Sequence, residues 1–440
     1  MAEPVNTPMP PSTPVSATTP RSGSPAPPVP SLTPNATMTT IPLHRKSLDG
    51  GGGGGSGGGS AAAPIKRPVV LHIGDPIKYN PATYAEFSQA FDVVRPAAAE
   101  RERAEFVRAL KERRWGDFGA IFRPFWGTGG EMGRWDAELI ALLPDSVRIF
   151  ASAGAGFDWA DTRLLGEKGI IYCNSGLAAA EAVADFAVAM VISTFRHLPW
   201  CIGAATLPLL AAPSSSDNAA AATEAEARRI FQLCHAQATA VSHNPRDHVL
   251  GLIGFGNIGQ QIAAKLGHAA FGMKIAYFDV IRKPAGVEAA LGATFYPTPE
   301  ELLTASDCAV LCTPASTDGR PLVTRELLAA ARPGTRFVNI ARGSLVDEDA
   351  LADALESGRL GSAALDVHAE EPRVNPRLVR LAGLDSPTPG RVMLTCHNAG
   401  GTVETHVGFE ELSMRNILAV LHGRPAITPV NLHFLPSGAA

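Results

Sequence analysis

Three residue types that together could hold a carboxylate and move a proton stand late in the chain, each just past a short apolar run. Arg342 follows Arg336–Ile340, Glu371 follows Ala363–Val367, and His397 follows Val392–Thr395. A guanidinium grips a carboxylate in bidentate fashion, and a histidine exchanges protons near neutral pH. A carboxylate beside that histidine would hold its tautomer and stabilise the imidazolium. Taken singly each has a plain structural explanation: an arginine is usually solvated, Glu371 can belong to a turn before Pro372, and most histidines are structural. Their common placement after strands argues otherwise, because ligands bind at the carboxyl ends of parallel strands, where these three could share one cleft.

A glycine pattern supplies the second chemistry. Gly254-Phe255-Gly256-Asn257-Ile258-Gly259 fits the G-x-G-x-x-G dinucleotide fingerprint. In a chain with this much glycine the bare pattern arises by chance about 0.4 times, and Gly50, Gly52 and Gly55 match it too. Context separates the two. Gly254 directly follows an apolar strand, Asn257–Leu266 has helical spacing, and Asp279 closes the next strand twenty residues after Gly259. Gly254 would allow the tight turn, Gly256 would let backbone amides approach a pyrophosphate at a helix N-terminus, and Gly259 would let helix and strand pack closely. Asp279 would accept the adenosine ribose hydroxyls and repel a 2′-phosphate, so NAD is expected over NADP. Arg282 and Lys283, close behind, are expected as solvated loop cations.

The elements that must position these residues alternate. Val69–Ile73, Ala120–Phe122, Val147–Ala151 and Ile170–Tyr172 have the character of buried strands, with helical spacing in Tyr84–Phe91, Arg103–Arg113 and Trp135–Leu143. A long helix follows near Ala180–Arg196, with Val183, Ala187, Met190, Val191 and Thr194 on one face. Leu207–Ala222 looks like a surface insertion. Beyond it, His248–Ile253, Lys274–Phe278, Ala309–Cys312, Arg336–Ile340, Ala363–Val367 and Val392–Thr395 are strands with helices between them. Such alternation defines an α/β protein with doubly wound parallel sheets. The expected division is a tail over 1–66, a first domain over 67–185 completed by 398–440, and a dinucleotide-binding domain over 186–397.

Composition narrows the class. The first 66 residues hold 13 prolines and 10 glycines but no Phe, Trp or Tyr, so they have too little apolar surface to offset the entropy of ordering and form a disordered tail. The remaining residues can bury two cores. A net charge of −4 provides no footprint for nucleic acid or an anionic membrane. The most apolar stretch, Leu177–Phe195, carries Glu181 and Asp185 and is not a comfortable membrane span. Met1–Ser47 lacks the pattern of a secretory signal, and the six cysteines show no Cys-x-x-Cys pair, metal set or disulfide framework. Free thiols and a cytoplasmic location are expected.

Several of these residues carry a resemblance. Gly254–Gly259 with Asp279, the run Asn339-Ile340-Ala341-Arg342-Gly343-Ser344-Leu345-Val346-Asp347-Glu348-Asp349-Ala350-Leu351, then Leu365-Asp366-Val367, Glu371-Pro372 and His397 resemble the D-isomer-specific 2-hydroxyacid dehydrogenase family. Ser242–Arg246 and Asp366-Val367-His368 are similar to fungal members, especially the D-mandelate dehydrogenase branch and its glyoxylate and hydroxypyruvate reductase relatives. The resemblance implies a flavodoxin-like substrate domain joined to a Rossmann NAD-binding domain. It implies His397 as acid/base paired with Glu371, and Arg342 as the residue that orients the substrate carboxylate. The turn Ala153-Gly154-Ala155-Gly156-Phe157-Asp158 matches the family's glycine turn, so the amides around Ala155 and Gly156 would hold that carboxylate. Besides the fingerprint glycines, Asn257, Ile258, Asp279, Thr313, Ile340, Ala341, Asp366 and Gly400 are implied to line the NAD site, and a homodimer through the helix near Ala180–Arg196 is implied as well. The chain departs from the family at Cys396, usually proline, at Asn398, usually aliphatic, and in the longer Leu207–Ala222 region.

The expected activity is interconversion of a small 2-oxoacid and a D-2-hydroxyacid with NAD(H). Phe122, Phe125, Trp126, Phe157 and Trp159 either shape a pocket for an aromatic substrate or pack as core. A formate dehydrogenase is disfavoured because Glu371 stands where that branch carries an amide. A rival from another class is an NAD-sensing scaffold of the corepressor type, for which the Thr-Pro pairs at Thr7, Thr13, Thr19 and Thr33 would be interaction or phosphorylation sites.

Overall fold

Residues 67–124, 132–210, 217–316, 319–384, 386 and 389–436 are described by the computed structural model of the chain. The segment expected as a tail, Met1–Lys66, and the aromatic residues Phe125 and Trp126 lie outside them. Two all-parallel sheets organise the described residues, one of five strands and one of seven.

The first sheet contains β1 (Val69–His72), β2 (Asp92–Val94), β3 (Ala120–Arg123), β4 (Ile149–Ser152) and β5 (Ile171–Cys173), in the order β2-β1-β3-β4-β5. The second contains β6 (Val249–Ile253), β7 (Lys274–Phe278), β8 (Ala293–Phe295), β9 (Cys308–Leu311), β10 (Thr335–Asn339), β11 (Leu360–Leu365) and β12 (Val392–Leu394). Its order is β12-β11-β10-β9-β6-β7-β8. Both are doubly wound, with the winding direction reversing between β1 and β3 in one sheet and between β6 and β9 in the other. The inner strands are apolar along their length because helices cover both faces, and Cys308–Leu311 is buried at every position. The expected strands are present with ends displaced by a few residues. Two strands were not foreseen: β2 and β8 are three residues long, half-buried at sheet edges, and too short to show a pattern.

The long helix begins at Gly176, and each residue of the foreseen face is buried. Ala187, Met190 and Val191 pack with Leu250, Val338 and Ala364 of the second sheet. By length and composition this helix could cross a membrane, but its apolar face is spent on the core, and its outer Glu181 and Asp185 pair with Lys265. The two ends of the expected insertion Leu207–Ala222 belong to helices Leu198–Leu210 and Asp217–Val241, with residues 211–216 outside the description. Trp200 and Ala204 of the first helix pack with Cys234 and Ala238 of the second.

The chain finally returns to the first sheet. Helix Val403–Leu421 places Met414, Ile417 and Leu418 against Phe122, Ile149 and Ala151. Its buried Glu410 accepts hydrogen bonds from the Lys78 and Tyr79 amides at 2.7 and 2.8 Å, which ties down the loop after β1. All six cysteines are free thiols.

Candidate active site

Strands β10, β11 and β12 are neighbours, and the loops at their carboxyl ends carry Arg342, Glu371 and His397. In the loop after β10, the Asn339 side chain accepts from the Ala341 amide and donates to the Arg342 carbonyl, both at 3.0 Å, fixing the backbone that presents Arg342. Gly343 follows because nothing larger fits: a Cβ there would lie 1.9 Å from the His368 carbonyl carbon. The acidic run beyond has two structural tasks. Asp347 caps helix Glu348–Glu356 by accepting from the Ala350 amide at 2.9 Å, and Glu348 accepts from the Ala369 amide at 2.8 Å, securing the loop that bears Glu371.

Histidine and carboxylate are in direct contact. His397 Nδ1 lies 2.8 Å from Glu371 Oε2, while Glu371 Oε1 accepts from the His368 amide at 2.9 Å. Partial burial would raise the Glu371 carboxyl, but the hydrogen bonds from His397 and the His368 amide outweigh it and hold the group below its ordinary value. The ionised Glu371 therefore accepts a hydrogen bond from Nδ1–H, and Nε2 is the nitrogen left for exchange with a ligand. The His397 side chain is 48% exposed, open enough to meet one.

The His397 backbone is held in the left-handed region at φ 54°, costly for a non-glycine residue. Buried Asp366 holds it there. The Asp366 carbonyl accepts the His397 amide at 2.7 Å, and its carboxylate accepts from the Thr395 hydroxyl and from the Asn398 and Ala399 amides at 2.7 to 2.9 Å. His368 adds a ring hydrogen bond to the Thr395 carbonyl at 2.8 Å.

The first sheet supplies the opposing wall. After β4 the glycine turn is fastened from below: Asn174 donates to the Ala155 carbonyl at 2.8 Å and the Ser175 amide to the Gly154 carbonyl at 2.9 Å. Its Gly156 lies against Arg342, and Asp158 Oδ1 accepts from Arg342 Nε at 3.2 Å. Arg342 Nη1 donates to the Ala341 carbonyl at 2.7 Å. Asp158 stands in the quoted glycine turn, but it had no foreseen role; the partner that defines one lies 184 residues away.

The glycine fingerprint lies at the switch point of the second sheet. Gly254 has φ 100°, and a Cβ on it would come within 2.9–3.0 Å of the Cys312 carbonyl and the Thr313 amide beyond β9. At Gly259 a Cβ would be 2.5 Å from the Gly254 carbonyl, so the helix packs on the turn only with glycine. A Cβ at Gly256 would meet nothing within 4 Å. Gly256 and Asn257 are exposed where helix Asn257–Leu266 begins, leaving its first amides accessible to a phosphate. These features fit a dinucleotide. Asp279, at the end of β7, accepts from the Phe255 amide at 2.8 Å and pairs with Lys283 Nζ at 3.0 Å. Burial would raise the Asp279 carboxyl, but these partners keep it below its ordinary value. The two nearby cations are not merely solvated: Lys283 is held on Asp279, and Arg282 forms a two-point pair with Glu288 at 2.9 Å. Ile340 and Ala341 are buried beside β10, Thr313 is half-buried after β9, and Gly400 lies over Ala179 and Val183.

Of the candidate aromatic residues, Phe122 is core, while Phe157 and Trp159 are half-buried against the core. Phe122 is fully buried beside Phe87, Phe157 and Trp159 lie near Tyr172, and Arg123 stacks over the Trp159 ring at 4.1 Å. Among the described residues, no group of His, Cys, Asp and Glu could hold a metal ion.

Comparison with known proteins accords with this architecture. Residues 215–399 match the family described as D-isomer specific 2-hydroxyacid dehydrogenase, NAD binding domain. The chain is 31% identical over 363 residues to 4-methyl-2-oxopentanoate reductase A of Aspergillus oryzae, covering 82% of this chain and 98% of that protein. It is 33% identical to a glyoxylate reductase of Thermococcus gammatolerans over 68% of this chain and 80% of that one. Among solved structures, the holo form of Rhodotorula graminis D-mandelate dehydrogenase superposes with a TM-score of 0.73 at 37% identity, covering 83% of this chain and 98% of that one. The chain belongs to the D-isomer specific 2-hydroxyacid dehydrogenase family. It is an oxidoreductase of that family, with a domain for a nicotinamide cofactor.

Proposed function

We propose that this protein reduces small 2-oxoacids to D-2-hydroxyacids, with NADH preferred over NADPH. The observations that carry the reading are the direct His397–Glu371 pair, the Arg342–Gly156 contact, and the origin of Arg342, Glu371 and His397 in loops after the adjacent strands β10, β11 and β12. The relatives named glyoxylate reductase, 4-methyl-2-oxopentanoate reductase and D-mandelate dehydrogenase support a 2-oxoacid/2-hydroxyacid reaction.

The residues divide the work. Arg342 binds the substrate carboxylate together with the amides around Ala155 and Gly156. Glu371 holds the His397 ring by Nδ1, so that Nε2 delivers a proton to the substrate oxygen during reduction and removes it during oxidation. Asp366 keeps the His397 backbone in place. Gly254, Gly256, Asn257, Ile258 and Gly259 would hold the pyrophosphate, Asp279 the adenosine ribose, and Thr313, Ile340, Ala341 and Gly400 the remaining wall. Hydride transfer is the chemistry the cofactor supplies when bound. In this reading, 67–185 with 398–440 form the substrate domain, 186–397 form the cofactor domain, and the enzyme acts as a homodimer.

The test is steady-state turnover of glyoxylate, hydroxypyruvate and an aryl 2-oxoacid, each with NADH and with NADPH. Oxidation of NADH by at least one of them supports the proposal, with the D-enantiomer formed from hydroxypyruvate or the aryl 2-oxoacid where either is turned over; glycolate is achiral. Cofactor binding with no turnover across the panel replaces it with the scaffold reading.

A further inference from the structure

Arg342 has two fixed corners. Its Nε donates to Asp158 Oδ1 at 3.2 Å from the first-sheet side of the cleft, and its Nη1 donates to the Ala341 carbonyl at 2.7 Å from its own loop. Nη2 is the nitrogen nearest Gly156, where an ideal Cβ would be 1.5 Å from it and 3.2 Å from Asp158 Oδ1. Gly156, Asp158 and the guanidinium therefore form one contact.

An arginine side chain has several rotatable bonds, and a single anchor would leave its fork free to turn. Two anchors on different nitrogens remove that freedom before a ligand arrives. A half-exposed ion pair contributes little to stability, so this one is poorly explained as a structural brace. Asp158 is 51% exposed and Arg342 25% exposed. The pair's effect falls on the orientation of the guanidinium and on the approach of the two cleft walls.

We propose that Asp158 is a positioning residue for substrate recognition. By accepting a hydrogen bond from Nε, it holds the guanidinium of Arg342 against Gly156, beside the turn amides that receive the carboxylate of a 2-oxoacid. The inference rests on reading Arg342 as the carboxylate-binding residue.

The test uses the full chain and the variants Asp158→Ala and Asp158→Asn, assayed with glyoxylate at saturating NADH. Binding of oxamate, an unreactive carboxylate mimic, is titrated in parallel. Asp158→Ala should raise the KM for glyoxylate and the Kd for oxamate about tenfold, with a smaller fall in kcat and no change in NADH affinity. Asp158→Asn retains an acceptor oxygen and should recover most of that loss. An alanine variant within twofold of wild type in both KM and oxamate Kd overturns the assignment. So does an asparagine variant no better than alanine, or an equal loss of NADH affinity. A wild-type protein that binds oxamate in an Asp158-dependent way but turns over no 2-oxoacid sinks the proposed function and leaves the positioning role standing. A protein that does neither removes both.

Discussion

Gly156 and Arg342, from the loops after β4 and β10, touch so closely that a methyl group on the glycine would overlap the guanidinium. The built Cβ falls 1.5 Å from Nη2 and 2.7 Å from Cζ. The residue type at 156 is therefore set by a side chain far away in sequence, and the first two predictions follow from that contact and from the His397–Glu371 pair.

Gly156→Ala should move Arg342 out of its place. Gly156 is only half-buried in a surface turn, so the fold should persist, with a melting temperature close to wild type. Turnover of 2-oxoacids should fall by about ten- to a hundredfold in kcat/KM, since a displacement near 1 Å in a positioning group costs that much. Steady-state kinetics beside a thermal melt separates the two effects.

His397→Ala should lower kcat by about two to four orders of magnitude at saturating substrate, the usual span for a positioned acid/base. Glu371→Gln keeps the shape but removes the charge, and should lower kcat by a smaller factor, about tenfold, with the NADH Kd unchanged. Equal kcat in wild type and the His397 variant would remove the mechanism.

On the proposed reading, cofactor choice should depend on the Asp279–Lys283 pair. Lys283 sits on Asp279 and offsets part of the charge that would repel a 2′-phosphate. Asp279→Ala frees that cation and should narrow the NADH over NADPH preference by about tenfold or more, whereas Lys283→Ala should widen it. The ratio of kcat/KM for the two cofactors in the three proteins checks both directions.

Acid should weaken the first domain through His72. Burial at the end of β1, against a hydrogen bond with the Asp75 carbonyl, pushes this imidazole down to about 4 from 6.5. The unfolded chain therefore takes up the proton first, and the stability present above pH 6.5 is lost as pH falls toward about 4. The full loss is about 3 kcal/mol. His72→Gln should flatten this part of the stability curve, as measured by urea unfolding at pH 7, 5.5 and 4.5.

Local chemistry alone indicated a large part of this protein. Continuous apolar runs mark strands buried on both faces, and Gly254, Gly256 and Gly259 between a strand and a helix mark a phosphate-sized turn, because each of those features is written in neighbouring residues. The short edge strands Asp92–Val94 and Ala293–Phe295 escaped notice because their pairing comes from the adjacent strand rather than from a pattern of their own. Arg342, Glu371 and His397 could be chosen by type and order, but their distances depend on β10, β11 and β12 lying side by side. Other outcomes were decided only by the tertiary structure: that Phe122 is core, that Lys283 belongs to Asp279, that buried Asp366 braces His397, and that Asp158 anchors Arg342. The Asp158–Arg342 and Asp366–His397 contacts join loops that are far apart in sequence, and residues that meet this way leave no spacing in the chain to announce it.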